Sequence, residues 1–504
     1  MRKIVTPVLK WALWLLATVL LIVTLLSLWP LPAPLTQKAV HPDVYIINAN
    51  IVDAEQGTIL PNKTIWIKGD RIYQILDTTQ YSGVSGVTVI DANNRFIIPG
   101  LWDMHNHFAF QTAPQMSMPI YIANGVMNVR DMQGVVNINE ERENWRKSII
   151  DGQLLGPRII AYADEMLGGN YDEQDINEVV RRSAQNPNTF IKIYSGILPE
   201  RFFKFARLAT EHRVPFAGHY PNAIDPVEVS KAGQRSFEHG LLFINGASDK
   251  SQALRDHYYD YYTSDDYSPR AIEDYESVLQ GFNMQMFQNL VDVMAEQGTY
   301  FVPTHITRRY EAMVYDDHFI NDPRRSLVPP MVDWVWQGDV SGELNWYAQR
   351  GQNYKIAVYE KGLELTGLAH QAGLKVMVGG DTLDPYSFPG SNVHDEMEQL
   401  VKAGLTPAEA ITAATRTPAE YFSLQDEYGA IQESKIADLV ILNENPLTDI
   451  QHTRQIEGVV FAGRYYSKTD LSQFQAYVQN NNSGVNGIIM SLKMFWRMLQ
   501  DNRH

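Results

Sequence analysis

The 504-residue chain contains no cysteine. That absence removes disulfides, thiolate metal sites and cysteine nucleophiles together, so any metal must be held by histidine, carboxylate or a less usual donor. Positive charge is also scarce. Forty-two Lys and Arg stand against 58 Asp and Glu, for a formal net charge of -16. A phosphate partner wants a basic face, so nucleic acid is excluded as a partner class, and the acidic balance reads as a solvated surface. Internal repeats are absent. Long uncharged apolar runs are absent too, with one exception.

The exception is Trp11 to Trp29, preceded by Arg2, Lys3 and Lys10. Nineteen helical residues span roughly 28 Å, close to the thickness of a bilayer core. Trp11, Trp14 and Trp29 lie near the ends, as interfacial aromatics do, and the basic flank should stay cytoplasmic. The expectation is an uncleaved membrane anchor with the main body extracytoplasmic, hence periplasmic in a Gram-negative cell. A cleaved signal peptide is the rival; its apolar region is usually shorter, and no clear small-x-small site precedes Pro30. Pro30, Pro32 and Pro34 make a stiff spacer, so residues 1–36 are read as anchor and linker.

Residues 43–99 read as short strands joined by turns. Thr64-Ile65-Trp66-Ile67-Lys68 and Arg71-Ile72-Tyr73-Gln74-Ile75 flank a hairpin turn at Gly69-Asp70. The texture returns at residues 425–467, in Ala437-Asp438-Leu439-Val440-Ile441-Leu442 and Gly458-Val459-Val460-Phe461. One composite β-sandwich domain built from both flanks is the simplest account. Between them, residues 100–424 alternate strands and helices, which argues for parallel βα units. Strands are expected at 125–129, 158–161, 190–194, 215–218, 235–238, 300–303 and 375–379. With the run ending at His105 they make eight, and eight such units close a (β/α)8 TIM barrel. Residues 249–274, rich in Tyr and Asp, are too long for an ordinary loop and read as an insertion, either a substrate wall or a surface excursion.

The tail, 468–504, carries its own pattern. Val485, Ile488, Ile489, Leu492, Phe495, Trp496 and Leu499 recur at helical spacing, with Lys493, Arg497 and Arg503 adding positive charge. An amphipathic helix is expected there. It lies on the membrane surface, packs on the body or pairs with another copy in a homo-oligomer; its spacing leaves these open.

Chemistry-bearing residues fall at the predicted strand ends, where barrels place reactive groups. His105 and His107 end the first strand, and residues two apart on a strand share one side. Lys192 lies in Ile191-Lys192-Ile193, His219 follows Gly218, His239 follows Glu238, and Asp381 follows Gly379-Gly380. Each has a plainer reading. His219 alone is more often a hydrogen-bonded loop residue, Asp381 a helix cap, and Lys192 a snorkelling side chain. Their order along successive strand ends is what chance does not readily arrange.

These pieces resemble the amidohydrolase superfamily, in its imidazolonepropionase-like and Xaa-Pro dipeptidase-like branch. The resemblance is carried by Pro99-Gly100-Leu101-Trp102-Asp103-Met104-His105-Asn106-His107, Val129-Arg130-Asp131, Ile191-Lys192-Ile193, Gly218-His219, Glu238-His239-Gly240 and Gly380-Asp381. Ala403-Gly404-Leu405-Thr406-Pro407 and Ala437-Asp438-Leu439-Val440 extend it, over about Val44 to Tyr466. It implies a hydrolase with two divalent metal ions. His105, His107 and Asp381 would hold the first, His219 and His239 the second, and N-carboxylated Lys192 would bridge them. Carboxylation needs a neutral amine, which burial near cations favours. Zinc is the first expectation for such ligands, while manganese, cobalt or iron also fit.

The resemblance further implies cleavage of C–N bonds in dipeptides or cyclic amides by a metal-bridging hydroxide, with Asp381 as general base and then acid. Tyr220 resembles a tyrosine that binds the substrate carbonyl; packing at the barrel mouth is its plainer role. Arg130 and Asp131 read as a structural ion pair, and His305 and His394 as residues that border the pocket. Rival readings remain: a lactone or organophosphate ester hydrolase on the same ions, and a one-metal deaminase, which lacks the bridging lysine. A non-enzymatic membrane-tethered binding protein predicts missing ligands, and none is missing.

Overall fold

Apolar and alternating runs form strands wherever turn residues separate them. In the computed structural model, which describes residues 2–168, 173–264, 275–350 and 353–501, five strands precede the barrel. They are β1 (Asp43–Asp53), β2 (Thr58–Lys68), β3 (Arg71–Asp77), β4 (Thr88–Asp91) and β5 (Phe96–Pro99). The barrel strands follow: β6 (Leu101–Asn106), β7 (Val126–Asp131), β8 (Arg158–Leu167), β9 (Thr189–Ile193), β10 (Phe216–Gly218), β11 (Ser236–Glu238) and β12 (Tyr300–Val302). They pair in parallel in the order β12-β11-β10-β9-β8-β7-β6, a nearly closed barrel. Between the strands, helices pack their apolar stripes outside. The helix Pro199–His212 buries Phe202, Phe205, Ala206 and Ala209 at three- and four-residue spacing.

The eighth strand expected at 375–379 is not a regular one. It makes a single parallel bridge, Val376 to Phe301. Its backbone still reaches both barrel edges: Met377 N donates to Phe301 O at 2.8 Å, and Met104 N donates to Val378 O at 2.9 Å. The ladder stops there because Val378 gives its N–H to Ala413 O at 3.0 Å. Gly379 and Gly380 then carry the chain past His105.

Three further strands, β13 (Leu439–Leu442), β14 (Ile456–Phe461) and β15 (Arg464–Ser467), join the first five. The order is β15-β14-β13-β5-β1-β2-β3, with β4 also on β1. The two flanks do combine. They form one continuous hydrogen-bonded mixed sheet. The reason is β5, which pairs antiparallel with β13 and parallel with β1 and so joins the flanks in one hydrogen-bonded layer. Val44, Ile46, Ile65 and Ile97 share a core with Leu439 and Val460.

The N-terminal helix Arg2–Leu28 includes a stretch, Lys10–Leu28, with no buried residue, that is long and apolar enough to cross a membrane. The C-terminal tail divides into two helices, Lys468–Asn481 and Gly484–Asp501. Within the expected insertion, the helix Ser251–Thr263 is described, and residues 265–274 lie outside the described residues. A second insertion escaped sequence reading. The helices His305–Met313 and Pro330–Arg350 lie between β12 and the helix Asn353–Gln371.

Candidate metal centre

The carboxyl ends of the barrel strands open into a cavity of about 430 Å³, lined among others by His107, Lys192, His219, Tyr220, His239 and Asp381. His105 is fully buried beside them. Its Nε2 lies 3.4 Å from Asp381 Oδ1, and His107 Nε2 lies 3.6 Å from the same oxygen. His239 presents Nδ1 at 3.4 Å from Asp381 Oδ2 and Nε2 at 3.1 Å from His219 Nε2. Lys192 Nζ stands 3.4 Å from His107 Nε2. All six expected ligand residues therefore meet in one place. The tightest group cuts across the expected pairs: ligand atoms of His105, His239 and Asp381 lie within 4.8 Å of one another.

Local backbone geometry explains the convergence. Asp103 Oδ1 accepts from His105 N at 3.1 Å and from Gly380 N at 2.8 Å, fixing the closing segment against β6. A Cβ on Gly379 would come within 2.7 Å of His105 Cβ, so only glycine permits this approach. His239 and Asp381 have φ of 72° and 48°. For non-glycine residues this left-handed backbone costs of order 1–3 kcal/mol, and the surrounding bonds must hold it. His239 turns out of β11, and Asp381 out of the closing segment, at the point where their side chains enter the site.

A second layer holds the first. Glu238 Oε2 faces His105 Nδ1 at 3.0 Å, while its Oε1 accepts from Arg130 Nη2 at 2.8 Å and Ser236 Oγ at 2.6 Å. Arg130 and Asp131 are consequently not partners of each other. On a strand, neighbouring side chains point to opposite faces. Arg130 goes inward to Glu238, and Asp131 goes outward to Arg142, whose Nε donates at 2.9 Å. Glu238 entered the sequence reading only as part of a motif, since its partner lies 108 residues away.

Burial sets the protonation states. Desolvation, then the nearby Lys192 charge, pushes His105 and His107 well below the ordinary imidazole range, and His219 to about 3. Burial, then His219, lowers His239 as well. Burial thus favours the neutral form of all four imidazoles. Burial also lowers Lys192 against the pull of Asp381, favouring the neutral amine. Asp381 is raised well above the carboxylate range by burial and by Asp384, with Lys192 opposing. Asp384, another cavity residue, is itself raised to about 6, chiefly by burial.

These residues fit a divalent cation. His105 Nε2 is buried and has no hydrogen-bond partner, while its Nδ1 is oriented by a carboxylate. A histidine bound to a metal shows the same division of its two nitrogens.

Other expectations fare unevenly. Tyr220 lines the cavity. His305 and His394 do not border it among the described residues. His305 Nε2 lies 2.9 Å from Thr366 Oγ1, and His394 is held between Thr453 Oγ1 and Asn124 O. The helix Ser251–Thr263 contributes Tyr258 to the cavity wall. Sequence reading could not pick out a basic residue for an anionic substrate; the structure places Arg308 in the lining, its Nη1 2.6 Å from Glu311 Oε1.

A nearly closed barrel with His and Asp side chains at its strand ends, flanked by a sheet from both chain ends, is the architecture of a class of barrel hydrolases. The family model for the amidohydrolase family matches residues 96–465, and the chain belongs to that family. Among solved structures, the chain is similar to a Xaa-Pro dipeptidase with bound methionine in the active site, with a TM-score of 0.60 and 19% identity over 84% of this chain and 100% of that one. It is similar also to a bottromycin amidohydrolase, with a TM-score of 0.66 and 17% identity over 91% and 92%. In sequence it is 35% identical over 198 residues to an adenine deaminase of Chelativorans sp. (strain BNC1). That match spans about a third of each protein, 36% of this chain and 32% of the relative.

Proposed function

We propose that the chain hydrolyses amide bonds of small substrates, dipeptides or cyclic amides, on a binuclear site. His105, His107 and Asp381 would hold one divalent ion, His219 and His239 the other, with zinc the first choice. Lys192 would lie between them as a carbamate, formed when its neutral amine adds carbon dioxide and releases a proton. The observation that carries this reading is the meeting of all six side chains around one cavity, with His105 Nε2 left bare.

When bound, the ions would supply Lewis-acid polarisation of a carbonyl and acidification of water. The chain's own residues do the rest. Asp381, at the centre of the donors, takes a proton as attack begins and returns it to the leaving nitrogen. Tyr220 donates its hydroxyl to the substrate carbonyl oxygen. Arg308 pairs with an anionic group of the substrate, such as the carboxylate of a C-terminal residue. Tyr258 and Leu242 form the wall against which the substrate body packs.

The test is metal content per chain of the purified full-length protein, with Lys192→Ala alongside and a dipeptide screen. Two ions in the parent, falling together with activity in the variant, support the binuclear site. A single ion indifferent to Lys192 transfers support to the one-metal deaminase reading, which the adenine deaminase likeness favours; ammonia release from aminopurines would then replace peptide cleavage as the signal. Absence of metal in folded protein sinks both.

For residues 1–36 we propose an uncleaved anchor with the catalytic body extracytoplasmic. Support comes from the exposed Lys10–Leu28 segment and the basic residues before it.

A further inference from the structure

Three features meet at the carboxyl end of the barrel, the end that holds the metal-binding side chains. The first is the foot of the N-terminal helix. Gln115 Nε2, in the segment after β6, donates to Pro32 O at 3.2 Å. The second is the helix Gly484–Asp501. Its Lys493 Nζ donates to Ser27 O at 3.0 Å and its Trp496 Nε1 to Ser27 Oγ at 2.9 Å. Arg497 Nη2 donates to Asn137 O, in the segment after β7. The third is the long insertion after β12, where Met331 N donates to Ser491 Oγ at 3.1 Å. These bonds fall on segments that follow β6, β7 and β12, while further along the linker Leu35 and Gln37 bond to the segment that precedes β8.

The C-terminal helix is only half covered. Met490 and Met494 pack with Val332, Trp336 and Phe388. Val485 (63% exposed), Ile488 (48%) and Phe495 (48%) lie on the uncovered side with Leu499. In the neighbouring helix, Trp334, one turn from the Met331 contact, is 74% exposed. An uncovered apolar face continuous with the foot of a membrane-spanning helix needs an apolar partner at that same level.

We infer that a phospholipid bilayer covers this face, so that the catalytic end of the barrel is apposed to the membrane and the substrate cavity opens beside the lipid headgroups. This rests on the anchored reading of residues 10–28. The contact is apolar in character and the chain is acidic overall, so docking needs no anionic lipid and resists salt.

The natural absence of cysteine makes the test clean. Full-length protein is reconstituted into phosphatidylcholine vesicles with single nitroxide-labelled substitutions: Ile488→Cys, Phe495→Cys and Trp334→Cys on the face, Leu20→Cys in the anchor, and Val89→Cys in the flanking sheet as an aqueous control. Collision with oxygen and with a water-soluble nickel chelate is measured at each label. The inference expects labels at 488 and 495 to show a several-fold higher oxygen-to-nickel ratio than the label at 89, unchanged at high salt. Equal ratios at 488, 495 and 89, with the label at 20 in lipid, would overturn it: the body then stands off the membrane. Protection at 488 and 495 from both reagents with spin–spin broadening would overturn it in favour of a second copy. A label at 20 in water would remove the anchored reading itself.

Discussion

His105 Nδ1 and Glu238 Oε2 lie 3.0 Å apart, with both side chains fully buried. Glu238 is held in turn by Arg130 at 2.8 Å. The carboxylate fixes the imidazole so that its proton sits on Nδ1 and its lone pair on Nε2, toward Asp381. Replacing Glu238 by Gln keeps the volume but removes the charge that enforces this tautomer and leaves Arg130 without its anion. Metal affinity should fall ~10–100-fold, the usual cost of losing an outer carboxylate. Chelator competition measures it, and near-ultraviolet circular dichroism checks that the fold persists. Unchanged affinity would mean that Glu238 serves only the Arg130 charge.

Arg308 should act on binding more than on turnover. Its guanidinium reaches the cavity that Asp381 and Asp384 share. For Arg308→Gln, KM for a dipeptide with a free carboxylate should rise ~10–100-fold, the worth of a charge-assisted bond of ~1.5–3 kcal/mol. The corresponding dipeptide amide should be affected little. Equal losses on both substrates would assign Arg308 to supporting Glu311 alone.

Glu396 offers a signature in the pH dependence of stability. Both its oxygens accept backbone N–H groups, from His305 at 2.8 Å and Ile306 at 3.0 Å, yet burial raises its pKa from 4.5 to about 8. Because the folded pKa lies above the unfolded one, the folded state binds more protons between these values. Its contribution to stability is therefore full below pH 4.5 and is lost as pH rises toward about 8. Glu396→Gln should flatten this slope in urea titrations at successive pH values. A slope identical in the two proteins would refute the assignment.

Asp395 has the opposite setting. Burial alone would raise its pKa, but Arg309, Arg324 and Arg454 outweigh it and hold it below the ordinary value. Arg324 Nη1 and Arg454 Nη2 lie 2.9 and 2.8 Å from its oxygens. Asp395→Ala strips the shared anion from these partly exposed cations and should cost ~3 kcal/mol, read as a lower urea midpoint. A midpoint within error of the parent would show that water replaces Asp395 freely.

Where the chain advertised its site, it did so by position. His105 lies on β6 with His107 just past its end, His219 and His239 follow β10 and β11, and Asp381 follows the closing segment, so short-range periodicity located them. Features set by distant pairing were not visible. Glu238 finds Arg130 across the barrel, and Asp131 turns to Arg142, because strand alternation decides facing while sequence adjacency does not. Arg308 sits in an insertion whose helices carry no motif. The closing segment looked like a strand, yet Val378 donates to Ala413, a bond no local pattern announces. The joined flanking sheet was legible as two similar textures, though its single-layer pairing through β5 was not.

That pairing also sets a schedule for biosynthesis. Pro99 of β5 lies opposite Leu439 of β13, so one edge of β5 stays unsatisfied while about 340 further residues are made. At ~5–20 residues per second this is an interval of roughly 20–70 s. During that time the nascent chain carries an open apolar strand edge, a template for misassociation. The sheet is completed only when nearly the whole protein has been made, which makes final folding a late event.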